Sequence, residues 1–282
     1  MYSIILTLSV RTIIIRCRGL NENDYQLVTR VNGIMRGLVD MEHSENGIGV
    51  GNLQVIADFQ LERWLHTLTH EDSETDSQEL NWQQLTQFAA YHAINAWYSL
   101  PPAVRTQHML KNEFEKKWTN KTQKFGTDIF YSEVKHRVRD QLYHILTNKS
   151  RIEWPLLLFE SMDVWIDELD LGLSMIVQVM ESSEESIVIH KFVMEDSAAS
   201  LALFTHMSVV FCNKAFGEKP VQLQVVNLMS GKQHRIETNH FTMDQSLDYL
   251  RLVKDVYLES RRCTCCREDG LHGNKFDLAI HQ

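Results

Sequence analysis

The alternation of apolar and polar residues changes period near the middle of the chain, and that change sets the architecture. Val55, Phe59, Leu61, Trp64, Leu65 and Leu68 recur at helical spacing through residues 51–70. The run E-D-S-E-T-D-S-Q-E at 71–79 has no apolar member and predicts a solvated loop. Residues 81–99 return to helical spacing with Trp82, Leu85, Phe88, Ala89, Ile94, Trp97 and Tyr98. Pro101 and Pro102 end that helix, because neither can continue the hydrogen-bond ladder. Two further helices are expected over 105–124 and 128–147.

Beyond residue 160 the period falls to two. Leu169, Leu171, Leu173, Met175, Val177 and Val179 alternate with Asp170, Gly172, Ser174 and Gln178, the signature of a long half-buried strand. The turn E-S-S-E-E-S leads to I-V-I-H-K-F (187–192), an almost unbroken apolar run suited to the centre of a sheet. Glu195, Asp196 and Ser197 supply caps for a helix that should end at Gly217. V-Q-L-Q-V-V-N-L (221–228) is a further strand, turned by Ser230-Gly231 into H-R-I-E. Thr242 with Gln245 forms a capping box for a last helix, with Leu247, Leu250, Val253, Val256 and Tyr257 on one face. The order is helices, then strand–strand–helix–strand–strand–helix. The fold class is therefore α/β: a mixed sheet core flanked by helices, with a helical N-terminal part. Residues 1–50 form an N-terminal strand and loop segment, 51–150 the helical region, and 151–282 the sheet core with its C-terminal helix and cysteine-rich tail.

Composition narrows the class. With 282 residues, 44% of them apolar and 23% charged, the chain has an ordinary globular make-up. No stretch reaches the roughly 18–20 apolar residues of a membrane span, so no membrane partner is expected. The first eighteen residues lack a basic segment ahead of their apolar part, and Arg11 interrupts it, so they read as strand rather than signal peptide. The five cysteines do not form the pattern of a secreted disulfide framework, and the expected compartment is the cytoplasm. The net charge of −9 argues against a general polyanion binder. Locally the balance reverses: residues 105–151 carry eleven Lys or Arg against five Asp or Glu, an excess of six. Lys116, Lys117, Lys121 and Lys124 lie in this stretch beside Trp118, and they are the candidate nucleic-acid contacts, with Trp118 either a stacking platform or a core residue.

The order of elements and the residues at their ends resemble the PD-(D/E)XK nuclease superfamily. The branch concerned contains CRISPR-associated adaptation exonucleases and the nuclease domains of recombination helicase–nucleases. Phe159-Glu160 precedes the long strand, I-V-I-H-K-F occupies the short one, and N-L-M-S-G-K matches a later hairpin. The likeness covers about residues 155–266 and implies a restriction-endonuclease-like core. It also implies a site in which carboxylates hold Mg²⁺ and a lysine polarises the scissile phosphate. On the matching positions Glu160 and Lys191 are the candidate catalytic residues. Ser174 and Val177 replace the glycine and aspartate of the glycine–x–x–aspartate motif, and Ile189 replaces the acid of acid–x–lysine. The leading expectation is accordingly a catalytically inactive nuclease-like protein, binding nucleic acid (DNA) or acting as a scaffold for protein partners in a DNA-processing complex. An active Mg²⁺-dependent nuclease, using carboxylates drawn from Glu160, Asp163, Asp167 or Asp170, is the alternative. A protein-interaction module without enzymatic activity is another.

Some members of that branch tie the domain ends together with an iron–sulfur cluster, through one early cysteine and three after the final helix. Here Cys17 stands early and Cys263, Cys265 and Cys266 follow the last helix. The four are candidate ligands of an iron–sulfur cluster or of zinc, with His272 as a rival fourth ligand for zinc. Cys212, between Val209-Val210-Phe211 and the end of its helix, is expected to be inert core.

Overall fold

A computed structural model describes residues 3–8, 11–16, 54–69, 80–147, 155–183, 186–217 and 219–262. The four cysteines at 17, 263, 265 and 266 and His272 lie outside the described residues, as does the whole acidic run at 71–79.

Near the N-terminus, β1 (Ser3–Leu8) and β2 (Arg11–Arg16) pair as an antiparallel ribbon. The expected helix over 51–70 is preceded by a short strand: β3 (Val55–Ala57) adds to the main sheet, and α1 (Asp58–Thr69) follows without a loop. Helix α2 (Trp82–Ser99) opens on a reciprocal capping box. Asn81 accepts from the Gln84 amide and Gln84 accepts from the Asn81 amide, each at 2.9 Å. Helix α3 (Gln107–Lys117) stops well short of residue 124. Residues 118–121 are not helical, and a 3-10 turn at Thr122–Phe125 precedes α4 (Asp128–Thr147).

The long alternating stretch forms one strand, and a second strand that the alternation did not mark precedes it. β4 (Leu157–Ile166) and β5 (Leu171–Ser183) are joined by a turn at 167–170 in which Asp170 adopts φ of 47°. Then come β6 (Ser186–Val193), α5 (Ala198–Phe216), β7 (Gln222–Asn227), β8 (Gln233–Glu237) and α6 (Met243–Arg262). Helix α5 is capped by Ser197, whose hydroxyl accepts from the Ser200 amide, and is closed by Gly217 at φ 79°. Thr242 and Gln245 make the expected capping box for α6.

β5 is the spine of a six-stranded mixed sheet. β4 runs antiparallel along one of its edges, from Ile166 opposite Leu171 to Leu157 opposite Met180. The other edge is shared. β3 lies parallel to Gly172–Ser174, and β6 lies antiparallel to Val179–Ser183. Between them, Met175 to Gln178 carry no strand on that edge, which leaves a notch in the sheet. β7 runs parallel to β6, and β8 antiparallel to β7.

Each face of the sheet buries its own apolar layer. On one, Leu171, Leu173, Met175, Val177, Ile187 and Ile189 pack against α1, α5 and α6; Cys212 is fully buried in this layer, as expected of a core thiol. On the other, Phe159, Val179, Phe192 and Val226 pack against α2, α3 and α4. Trp118 is half-buried and packs against this second layer, with ring centroids 5.2 Å from Phe114 and 5.7 Å from Phe125. The apolar residues of α2, α3 and α4 thus pack directly on one face of the sheet. Among the described residues no helix is long and apolar enough to cross a membrane.

Candidate functional site

The notch in the sheet is where charged side chains are drawn inside. β3 ends opposite Ser174, and the chain turns at once into α1, so the first residue of that helix, Asp58, projects into the gap. One oxygen, Oδ1, accepts from the amide of Phe59 at 2.8 Å, and the other, Oδ2, accepts from the amide of Ile176 at 3.3 Å. Asp58 therefore takes up a backbone donor of β5 that has no strand to bond with there. One helical turn on, Glu62 lies on the same face.

The third member comes from β6. Ile189 and Lys191 stand two residues apart and share a face, so Lys191 points into the same apolar layer that buries Ile189. Its side chain is 7% exposed, and its ammonium lies 4.7 Å from the centroid of the Phe204 ring of α5. Glu62 accepts a hydrogen bond from the Nζ group, and Asp58 Oδ2 is 3.9 Å away. With all three groups ionised, the cluster carries two negative charges and one positive. Burial pushes the Asp58 carboxyl up to about 6, helped by the charge of Glu62 and opposed by Lys191 and the two backbone N–H groups. For Lys191 burial works to lower the pKa, but Glu62 and Asp58 outweigh it and the value is raised; the side chain is an ammonium.

A neutral network joins the other side of the notch. The Gln178 side-chain oxygen accepts from the Phe192 amide at 2.7 Å, and the Tyr91 hydroxyl of α2 donates to the Phe192 carbonyl at 2.8 Å. Gln178 also donates to the Tyr91 oxygen at 3.0 Å. The carboxamide thus stands in for the ladder that β5 and β6 lose once they part. Phe159, at the β4 position opposite Gln178, adopts φ of 48°, a left-handed conformation that costs a bulky residue of order 1–3 kcal/mol. The strain and the break in the ladder coincide.

A separate acidic pair follows β6. Glu195 accepts from Gln83 at 2.7 Å and lies 3.1 Å from His66, tying α1 and α2 to the loop before α5. Asp196 contacts His234 and accepts from Asn227, with Lys232 at 3.9 Å. Burial alone would raise the Asp196 carboxyl, but hydrogen bonds from His234 and Asn227 hold it below the usual range. These contacts fix the Asn227–Lys232 turn, in which Gly231 takes φ of 72°. A side chain at Gly231 would collide with Gln141, since an added Cβ falls 2.2 Å from its Oε1.

The expected site residues are dispersed. Glu160 is on β4, in register with Val177. Asp163 pairs with Ser174 and is exposed, while Asp167 and Asp170 flank the β4–β5 turn. Val177 and Ile189 are each 1% exposed and belong to the apolar layer. Lys191 is drawn to Asp58 and Glu62, two acids that sequence reasoning passed over. The only signal they left was a pair of acids at i and i+4, which reads as a solvated helix face until β6 is laid across it. Lys116 and Lys117 lie in the last turn of α3, Lys121 precedes the following 3-10 turn and Lys124 lies within it. Lys116 pairs with Glu113 at 2.5 Å, and nearby Lys135 pairs with Glu115 at 2.5 Å, so part of the local basic excess is already compensated.

Asp58 and Glu62 supply as many carboxylates as a Mg²⁺ ion commonly takes from a protein, the remaining positions being filled by water; in the notch both face the Lys191 ammonium instead. Among the described residues no group of three or more His, Cys, Asp or Glu side chains is placed to hold a metal ion. A scan of protein-family models finds none that matches the chain, and a search of curated proteins likewise finds no match.

Proposed function

We propose that the chain is a PD-(D/E)XK nuclease-like protein that does not cleave, and that it acts by binding nucleic acid or as a scaffold subunit of a DNA-processing complex. One observation carries the reading: Lys191, the lysine of the acid–x–lysine position, is buried and bonded to Glu62 with Asp58 beside it. Catalysis by such a lysine requires that its ammonium meet a phosphate oxygen, and here the ammonium donates to Glu62 and lies 3.9 Å from Asp58 inside the fold. Val177 and Ile189 support the same conclusion, because both positions where the resemblance calls for metal-binding acids lie in the apolar core. The basic surface formed by Lys116, Lys117, Lys121 and Lys124 is the proposed nucleic-acid face. Cys17, Cys263, Cys265 and Cys266 are the proposed ligands of an iron–sulfur cluster or of zinc, and the proposed compartment is the cytoplasm.

A second reading rests on the same triad. Two carboxylates do converge on Lys191, the arrangement expected of an active Mg²⁺-dependent nuclease with migrated acids, although Asp58 and Glu62 take the place of Glu160, Asp163, Asp167 and Asp170. The two readings part on one assay, incubation of labelled single- and double-stranded DNA with the protein and Mg²⁺ or Mn²⁺. No cleavage is expected. Cleavage lost in both Lys191→Ala and Glu62→Gln would establish the active nuclease instead.

A further inference from the structure

Helix α6 buries Leu247, Leu250 and Tyr257 in the layer it shares with α1 and α5, and its opposite face is open. Of the exposed large apolar side chains among the described residues, only Leu252 and Val256 share an element, one turn apart at 64% and 43% exposure. They belong to a longer row. Gln245, Tyr249, Leu252, Val256 and Glu259 recur at intervals of four, three, four and three residues, the spacing of a seam along which two helices pack. Tyr249 is half-buried and held in place, stacked on the His206 ring of α5 with centroids 4.3 Å apart and planes 21° from parallel. A fixed aromatic beside two exposed aliphatic side chains makes an anchor for a partner.

Charge decides what fits there. One edge of the seam carries Asp244, Asp248, Arg251 and Asp255, and Glu259 ends it; all five are exposed. That is four carboxylates against one guanidinium, a net charge of −3. Arg251 bonds to Asp248 at 2.5 Å. Lys254, half-buried on the far side of the helix, donates to the Leu169 carbonyl and lies 3.7 Å from Asp255. Asp244 and Glu259 have no ion pair among the described residues.

The acidic edge selects among occupants. A second copy packed antiparallel along the seam would bring like edges together and set acids against acids, which costs affinity. Residues 263–282 hold three acids against Arg267 and Lys275, so charge does not favour them either. A helix with cations beside its apolar seam satisfies both features of the face.

We infer that the open face of α6 docks a basic amphipathic helix of a partner protein, its apolar seam on Tyr249, Leu252 and Val256 and its Lys or Arg side chains along the acidic edge. The inference is independent of the state of Lys191 and of any nucleic-acid contact.

Fluorescence anisotropy on the full chain tests it. The probe is a labelled synthetic helix of three heptads, with Leu on its seam and Lys at the flanking positions. The wild type should bind this peptide, and should bind a sister peptide with Glu in place of Lys at least about tenfold more weakly. Leu252→Asp combined with Val256→Asp adds negative charge, yet should weaken binding of the Lys peptide by about tenfold or more. Asp248→Asn combined with Asp255→Asn keeps every apolar residue of the seam and should weaken it by a smaller factor. No binding by the wild type would overturn the inference. So would an affinity that the Leu252 and Val256 substitutions leave intact, since the peptide would then be drawn to the acidic chain as a whole. A wild-type dimer in sedimentation that the same substitutions dissociate would also overturn it, because the face would belong to a second copy.

Discussion

Asp58 is buried and Asp196 half-buried, and both meet cationic side chains, yet their carboxyls move in opposite directions. Asp58 is pushed up to about 6, whereas Asp196 is held below its ordinary value. For each, burial is the largest influence and acts upward. The difference is what shares the site. Asp58 must divide one ammonium with Glu62, so the notch holds a surplus negative charge. Asp196 is the sole acid among His234, Asn227 and Lys232, so donors outnumber acceptors. A buried acid is stabilised by the balance of charge around it, not by the presence of a cation alone.

That comparison breaks most sharply at Lys191. Replacing it with Met leaves two carboxylates in the notch without a counter-charge, and unfolding free energy should fall by about 3–5 kcal/mol. Combining Lys191→Met with Asp58→Asn and Glu62→Leu should recover most of that loss, because replacing a whole buried ionic group by neutral groups is often nearly neutral. Urea unfolding of the single and triple variants checks this. A triple variant no more stable than the single one would show that the three groups do not act as a unit.

The pH dependence is the next effect. The folded pKa of Asp58, about 6, lies above the unfolded value of about 3.9. The native state therefore binds the proton more tightly between the two, and the Asp58 contribution to stability is full below pH 4 and is lost as pH rises through 6. Asp58→Asn should remove this slope. Asp196 has the opposite sign: its contribution is present above the unfolded pKa and is lost as pH falls through the lower folded value. Asp196→Asn should therefore weaken the protein at neutral pH and matter least in acid. Stability profiles from pH 3 to 7 for both variants, if they sloped the same way, would dispose of the contrast.

The smallest effect on stability belongs to the lysines of 116–124, two of them exposed and two half-buried. Changing Lys116, Lys117, Lys121 and Lys124 together to Gln should alter stability by less than about 1 kcal/mol, since solvent-exposed ion pairs contribute little. DNA or RNA affinity should nonetheless drop, with its log–log salt slope shallower by about 0.7–0.9 for each phosphate contact removed. An unchanged slope would place any nucleic-acid contact elsewhere.

Much of this fold was legible in the sequence because its signals are local. The period-two run marked β5, Thr242 with Gln245 marked the start of α6, and Gly217 marked the end of α5. β4 escaped because Glu160, Ser161 and Asp163 interrupt its apolar residues, and the stretch reads as a preface to the strand that follows. β3 escaped because three residues are too short to show a period. Trp118 packs on Phe114, Phe125 and Tyr131 but stays half-buried, contacts that helical spacing alone does not show. The site was half legible. Val177 and Ile189 identify themselves as apolar in any setting, and both are buried. Asp58 and Glu62 acquire their role only from the notch that β3 and β6 leave along β5, a contact between residues more than a hundred positions apart.

The central claim is that Lys191 is held by carboxylates within the fold and does not serve phosphodiester cleavage. The direct measurement is single-turnover cleavage of end-labelled single- and double-stranded DNA in Mg²⁺ or Mn²⁺, with wild type beside Lys191→Ala, Asp58→Asn and Glu62→Gln. No product above the buffer control is expected from any of the four proteins. Product from the wild type that disappears in all three variants would contradict it and make Asp58, Glu62 and Lys191 a working active site.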